Sequence, residues 1–163
     1  MTLSTDKSLE AVEVSELFHS LFGLAVSAVS AVSAAEVSPE VRHSIAEYVG
    51  PDGAAAGYLS CDLPSACRLA AALTQIPAGR AAEAIEEGEM PDGLCENLDE
   101  VFNICAQLLV PAGGSRVTLS RTAHGRQLVE CEELGDSAYV TTEIGLDVER
   151  YGMCSLTFMT TGS

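Results

Sequence analysis

Tryptophan is absent from this 163-residue chain, and aromatic residues make up only 5% of it. A core with so few rings must be aliphatic, built from Ala, Val and Leu. Cations are nearly as scarce: eight Lys and Arg stand against 24 Asp and Glu, a net charge of −16. With no basic stripe to neutralise phosphates, the composition argues against nucleic acid. An anionic membrane surface is disfavoured for the same reason. A protein partner suits this charge better. Also missing is any Cys-x-x-Cys or Cys-x-x-His pair, so Cys61, Cys67, Cys95, Cys105, Cys131 and Cys154 lack the usual spacing of a structural zinc site. Most of these thiols lie in apolar patterns, where free Cys behaves as a small hydrophobe. The chain therefore reads as reduced and cytoplasmic. Nor is there a long uninterrupted apolar run. Residues 21–37 are broken by serines, follow an acidic leader and are too short to span a bilayer. No targeting signal is read there.

What is present is a foldable chain. Apolar residues make up 47%, which excludes a disordered polymer, and the length suits one domain with a real core. Residues 1–8 are polar and read as a flexible N-terminus, with 9–163 as a single domain. Val14, Leu17, Phe18, Leu21, Leu24, Ala25 and Ala28 recur at helical spacing from about Glu10. The Ala-Val-Ser triplets up to Ser33 follow as the helix end and an edge strand. Pro39 interrupts. Residues 43–49 alternate, Gly50-Pro51-Asp52-Gly53 is a turn signal, and small residues up to Cys61 follow, so 43–61 reads as a β-hairpin. Asp62 can cap a helix that holds Pro64 in its first turn and aims Leu63, Cys67, Ala70, Ala71 and Leu73 at the core. After Ile76-Pro77-Ala78-Gly79 comes a short acidic helix over 80–87. Beyond Gly114 the pattern is β: strands are predicted over 116–122, 127–132, 138–148 and 153–160, with a turn at 149–152. This order predicts an α+β domain, helices packed on an antiparallel β-sheet, closing in a β-meander.

The most informative stretch is 92–110. Asp92 can cap its first turn, and Pro111 ends it. At about 100° per residue, Leu98, Val101, Phe102, Cys105, Leu108 and Leu109 share an apolar arc. Glu96, Glu100, Asn103 and Gln107 share the opposite band, at i, i+4, i+7 and i+11. One face is core; the other is a ridge of carboxylates and amides. Glu100 and Asn103 stand one turn apart on it.

In this setting the chain resembles the CheX/CheC/FliY family, phosphatases that act on the phosphorylated chemotaxis response regulator CheY. The single-site CheX branch is the most similar. The likeness runs nearly end to end: a leading helix, a hairpin ending in Gly57-Tyr-Leu-Ser, a helix opening Asp62-Leu-Pro-Ser-Ala, the mid-chain helix with Leu98-Asp-Glu100-Val-Phe-Asn103, and a closing hairpin. The resemblance implies a CheC/CheX-like fold and a Glu-x-x-Asn catalytic pair at Glu100 and Asn103. Glu96, Asp99 and Gln107 are the implied receiver-docking surface. Glu100 would pair with a lysine of the receiver and Asn103 would orient the attacking water. No cofactor of its own is implied, because Mg²⁺ would come with the CheY-like receiver domain. A homodimer through a sheet edge is compatible with the resemblance. The motif is degenerate. Glu96 stands where the family has Asp or Ser, no Pro follows at the family's interval, and Phe102 and Gln107 replace small residues. In the first helix, Glu16-Leu-Phe-His19 occupies the place of a second pair with His in place of Asn, so at most one site is expected. The alternative reading is a non-catalytic interaction or dimerisation module of the same fold.

Other constellations carry less. His19, His43 and His124 are scattered, show no Ser-His-Asp or Cys-His ordering, and read as surface or loop residues. Gly113-Gly114-Ser115 lacks the Walker lysine and reads as a turn. Arg116, Arg121 and Arg126 suit either a strand facing the acidic ridge or a solvated sheet edge that discourages pairing. Glu83, Glu86, Glu87 and Glu89 solubilise their helix.

Overall fold

Alternation along the strands determines which residues of this chain meet the helices. The computed structural model describes residues 11–33, 43–53, 55–109, 116–125 and 139–161. Six strands form one antiparallel sheet in the order β1-β5-β6-β3-β2-β4, where β1 is Val26–Ser33, β2 Ser44–Val49, β3 Ala55–Cys61, β4 Thr118–His124, β5 Tyr139–Val148 and β6 Gly152–Thr161. Ala46 and Tyr48, Leu59 and Cys61, Ile144, Leu146 and Val148, and Cys154, Leu156 and Phe158 point to one face. There they share a core with the helices α1 (Ala11–Phe22), α2 (Leu63–Leu73), α3 (Ala78–Glu87) and α4 (Asp92–Cys105). Intervening residues Ile45, Tyr58, Ala123 and Met159 form a smaller buried cluster, which the same alternation assigns to the other face. The α+β expectation of helices on an antiparallel sheet holds.

Local chemistry explains the element ends. Asp62 accepts from the Ser65 amide at 2.9 Å and Pro64 sits in the first turn, as expected for α2. Along α2, the buried Ala66, Ala70, Ala71 and Ala72 let α4 lie close. In the β2–β3 turn the Gly53 amide donates to the Gly50 carbonyl at 3.0 Å, with Gly53 at φ +80°, a conformation open to glycine. The β5–β6 hairpin turns at 149–151 as the sequence indicates, and the Tyr151 amide donates to Val148 at 3.0 Å.

Four expectations need correction. The first helix stops at Phe22 instead of running on through Ala28. Gly23, at φ +70°, donates to the His19 carbonyl and ends it, so the triplets form edge strand β1 entirely. Helix α3 starts at Ala78, two residues early. Asp92 is not the cap of α4: Pro91 holds that position without a side-chain bond, and Asp92 is the first helical residue, where its charge favours the positive helix end. The terminal strands are not a meander. Strand β4 pairs with β2 at the far edge, and the β2–β3 hairpin separates it from β5 and β6. The predicted strand over 127–132, the turn at 113–115, Pro39 and the N-terminal residues 1–8 lie outside the described residues. Among the described residues no helix is long and apolar enough to cross a membrane.

Candidate functional site

Helix α4 turns its arc Leu94, Leu98, Val101, Phe102 and Cys105 fully into the core. That leaves Glu96, Glu100 and Asn103 exposed on the outer face, one turn apart in succession, with Gln107 exposed just beyond. Among the described residues, no neighbour engages the side chains of Glu96, Glu100 or Asn103. Gln107 folds back, and its Nε2 donates to the Ile104 carbonyl at 3.1 Å. Phe102, which replaces a small residue of the motif, is buried and does not stand on the ridge.

Asp99 behaves differently. Its Oδ1 accepts from the Thr122 hydroxyl at 2.7 Å and meets His124 Nε2 at 2.7 Å, so it leans toward β4. The ring of His124 is enclosed, with 10% of the side chain exposed, whereas Asp99 keeps 45%. Its other nitrogen, Nδ1, lies 2.8 Å from Ser44 Oγ, and Ser44 Oγ lies 2.9 Å from His43 Nδ1. The sheet register explains the meeting, since Ser44 and His124 are cross-strand partners of β2 and β4. Burial lowers the His43 pKa, and the neighbouring His124 lowers it further.

A second tie lies one turn along the helix. After Cys105 the chain tightens into a 3₁₀ turn, Ala106–Leu109, and the Ala106 amide bonds to the Asn103 carbonyl. The Phe102 carbonyl thereby loses its helical donor. The Tyr48 hydroxyl from β2 supplies one, at 2.6 Å. Burial above all, then Cys105 and Cys61, pushes the Tyr48 pKa well up, so the phenol stays protonated and donates. On the other flank, Asn97 Nδ2 donates to the Ala70 carbonyl at 3.0 Å and to Thr74 Oγ1 at 2.9 Å. Polar ties at positions 97, 99 and 102 thus fix the rotation of α4 about its axis and bracket Glu100 and Asn103.

One expectation about other residues changes. His43 and His124 are parts of one cluster, not scattered loop residues. His19 is exposed, but its Nδ1 lies 2.7 Å from the Leu24 carbonyl just past the end of α1, with Glu16 exposed a turn earlier. Asp99, His124 and Ser44 follow the order of a hydrolytic triad, but Ser44 is 0% exposed, so no substrate carbonyl can reach its hydroxyl. Of the two readings of the arginines, Arg121 takes the solvated edge, where it pairs with Glu47 of β2 at 3.3 Å. Arg126 lies outside the described residues. Among the described residues no group of three or more His, Cys, Asp or Glu is placed to hold a metal ion.

This architecture, four helices on a six-stranded antiparallel sheet with an open mid-chain helix at its edge, is the CheC/CheX fold. No protein-family model and no curated protein matches the chain. Solved structures do. The chain is similar to the FliM middle domain from H. pylori, with 13% identity, a TM-score of 0.62, and 93% of this chain and 84% of that one covered. It is also similar to the CheX of a CheX–CheY–BeF3–Mg complex from Borrelia burgdorferi: 12% identity, TM-score 0.56, 95% and 100% covered. FliY from Thermotoga maritima matches at 10% identity and TM-score 0.56, over 93% and 84%.

Proposed function

We propose that the chain is a cytoplasmic phosphatase for the aspartyl phosphate of a CheY-like receiver domain, acting in chemotaxis or a related two-component pathway. The observation that carries this reading is the exposed pair on α4, Glu100 and Asn103, unengaged by any neighbour among the described residues, on a helix fixed at both flanks. Hydrolysis of an acyl phosphate proceeds by in-line attack of water oxygen on phosphorus. The bond from phosphorus to the acyl oxygen breaks, and the products are inorganic phosphate and a free carboxylate. The catalyst mainly has to place that water. The Asn103 amide both donates and accepts and carries no charge to repel the phosphoryl oxygens. The Glu100 carboxylate can anchor a lysine of the receiver's own site, and Glu96 and Gln107 extend the contact surface. Mg²⁺ and the acyl phosphate belong to the receiver.

The test is phosphate release from a phosphorylated receiver with and without the protein. Acceleration that disappears in Asn103→Ala, with unfolding unchanged, supports the reading. A rate equal to the receiver's own ends it.

A second reading, a non-catalytic interaction module, is favoured by the similarity to FliM, whose structures include a FliG–FliM and a FliM–SpeE complex. Association with a receiver or another signalling protein without any gain in phosphate release would select it.

A further inference from the structure

Asp99, His124, Ser44 and His43 form an unbroken line of contacts at 2.7, 2.8 and 2.9 Å from the flank of α4 to the start of β2. A hydroxyl has one proton to give, and this restricts the line to two arrangements. In the first, His43 Nδ1–H donates to Ser44, Ser44 donates to His124 Nδ1, and His124 Nε2–H donates to Asp99. In the second, His124 carries a proton on both nitrogens and donates to Asp99 and Ser44. Ser44 then donates to His43, which must be the Nε2–H tautomer. Protonating both rings would leave two N–H groups aimed at the Ser44 oxygen and its own proton without a place. The line therefore accepts one proton and resists a second, in keeping with the lowered pKa of His43.

The ring of His124 also stacks parallel to Phe102, with 6.3 Å between centroids and 5° between planes, so the imidazole touches α4 at two successive turns. Among the described residues, those facing the ring include Asp99 and Phe102 from α4, Ser44 and His43 from the β2 side, and Thr122 two residues before it on β4.

We propose that this line is a hydrogen-bonded brace, and that Asp99 is a positioning residue for the Glu100–Asn103 pair, not part of the surface that meets a partner. The functional half rests on the phosphatase reading; the brace itself does not. Through the Asp99 carboxylate, which meets both His124 and Thr122, the line holds the flank of α4 beside Glu100 against β4.

Long-range proton–nitrogen NMR on histidine-labelled full-length protein tests the brace without any receiver. At any one pH the two rings should hold one of the two arrangements, so that the proton on His43 Nδ1 is set by the protons on His124. Ser44→Ala, a small change in an enclosed position, should uncouple the two rings. Ring proton patterns that fit neither arrangement, or that are unchanged in Ser44→Ala, overturn the proposal. For positioning, Asp99→Ala should speed amide exchange over residues 99–105 by at least about tenfold, the scale of one lost charged hydrogen bond. Unchanged exchange overturns it. In receiver dephosphorylation, Asp99→Ala should lower kcat with KM unchanged, whereas a rise in KM alone makes Asp99 a contact residue and overturns the assignment. If the unaltered protein releases no phosphate while ring coupling and helix protection behave as stated, the phosphatase reading falls and the brace stands.

Discussion

The Tyr48 hydroxyl donates to the Phe102 carbonyl oxygen at 2.6 Å, from the middle of β2 to the turn of α4 that carries Asn103. Both residues are fully buried, so no water can replace the phenol. Tyr48→Phe keeps the ring in the core and leaves that carbonyl without its donor. The expected cost is about 1–3 kcal/mol, read as a lower urea midpoint with an unchanged slope. Exchange should quicken at the end of α4 before the sheet. A variant as stable as the parent would mean that the carbonyl finds another donor.

Acid should weaken the fold through His43. Its folded pKa lies below the ordinary 6.5, because burial, and then His124, oppose the charged ring. The unfolded chain binds that proton where the folded chain resists it, so the contribution is full above 6.5 and is lost as pH falls toward the lowered value. Urea midpoints at about pH 7.5 and about pH 5.5 bracket this window. His43→Gln should shrink the difference between them; an identical difference would assign the acid sensitivity elsewhere.

The enclosed thiols should be inert at neutral pH. Burial pushes Cys67 up to about 11 and Cys154 to about 12, and raises Cys61 and Cys105 strongly. The thiolate is the reactive species, so alkylation of these four should wait for unfolding. Cys95, half-buried, has a raised pKa from burial and then from Asp99 and Asp92, and should label first among the described cysteines. Mass spectrometry of labelled peptides reads the order directly, and early labelling of Cys105 would contradict the packing.

The cap on α2 has a measurable worth. Asp62→Ala removes the acceptor of the Ser65 amide at the start of the most buried helix, and about 1 kcal/mol of stability should go with it. Thermal unfolding would show a lower Tm, while Asp62→Asn should recover most of the loss. Equal losses in both variants would point to charge as the cause, not capping.

How far the sequence could be read depended on the range of the interactions involved. The apolar arc of α4, the Asp62 cap and both hairpins are set by residues within a few positions of one another, and each was legible. The end of α1 was misjudged because Leu24, Ala25 and Ala28 keep the helical spacing, whereas Gly23 breaks it by conformation alone. The place of β4 was hidden for a different reason: its partner is β2, and about seventy residues of chain separate the two. The same distance concealed the cluster under the ridge. Thr122 and His124 alternate onto one side of a strand, which was a usable signal, but their meeting with Asp99 and Ser44 depends on that distant register. Asp99, grouped with the docking residues by its place on the helix, is distinguished from them only by what lies across from it.

Among the described residues, α4 is anchored by side chains and carbonyls on its inner and lateral sides, and none of them ties the outward Glu96, Glu100 or Asn103 into the frame. Selection could therefore rewrite them without endangering the domain, exchanging one recognition surface for another on an unchanged chassis. Sister scaffolds of this shape can diverge in occupation while their frames stay superimposable.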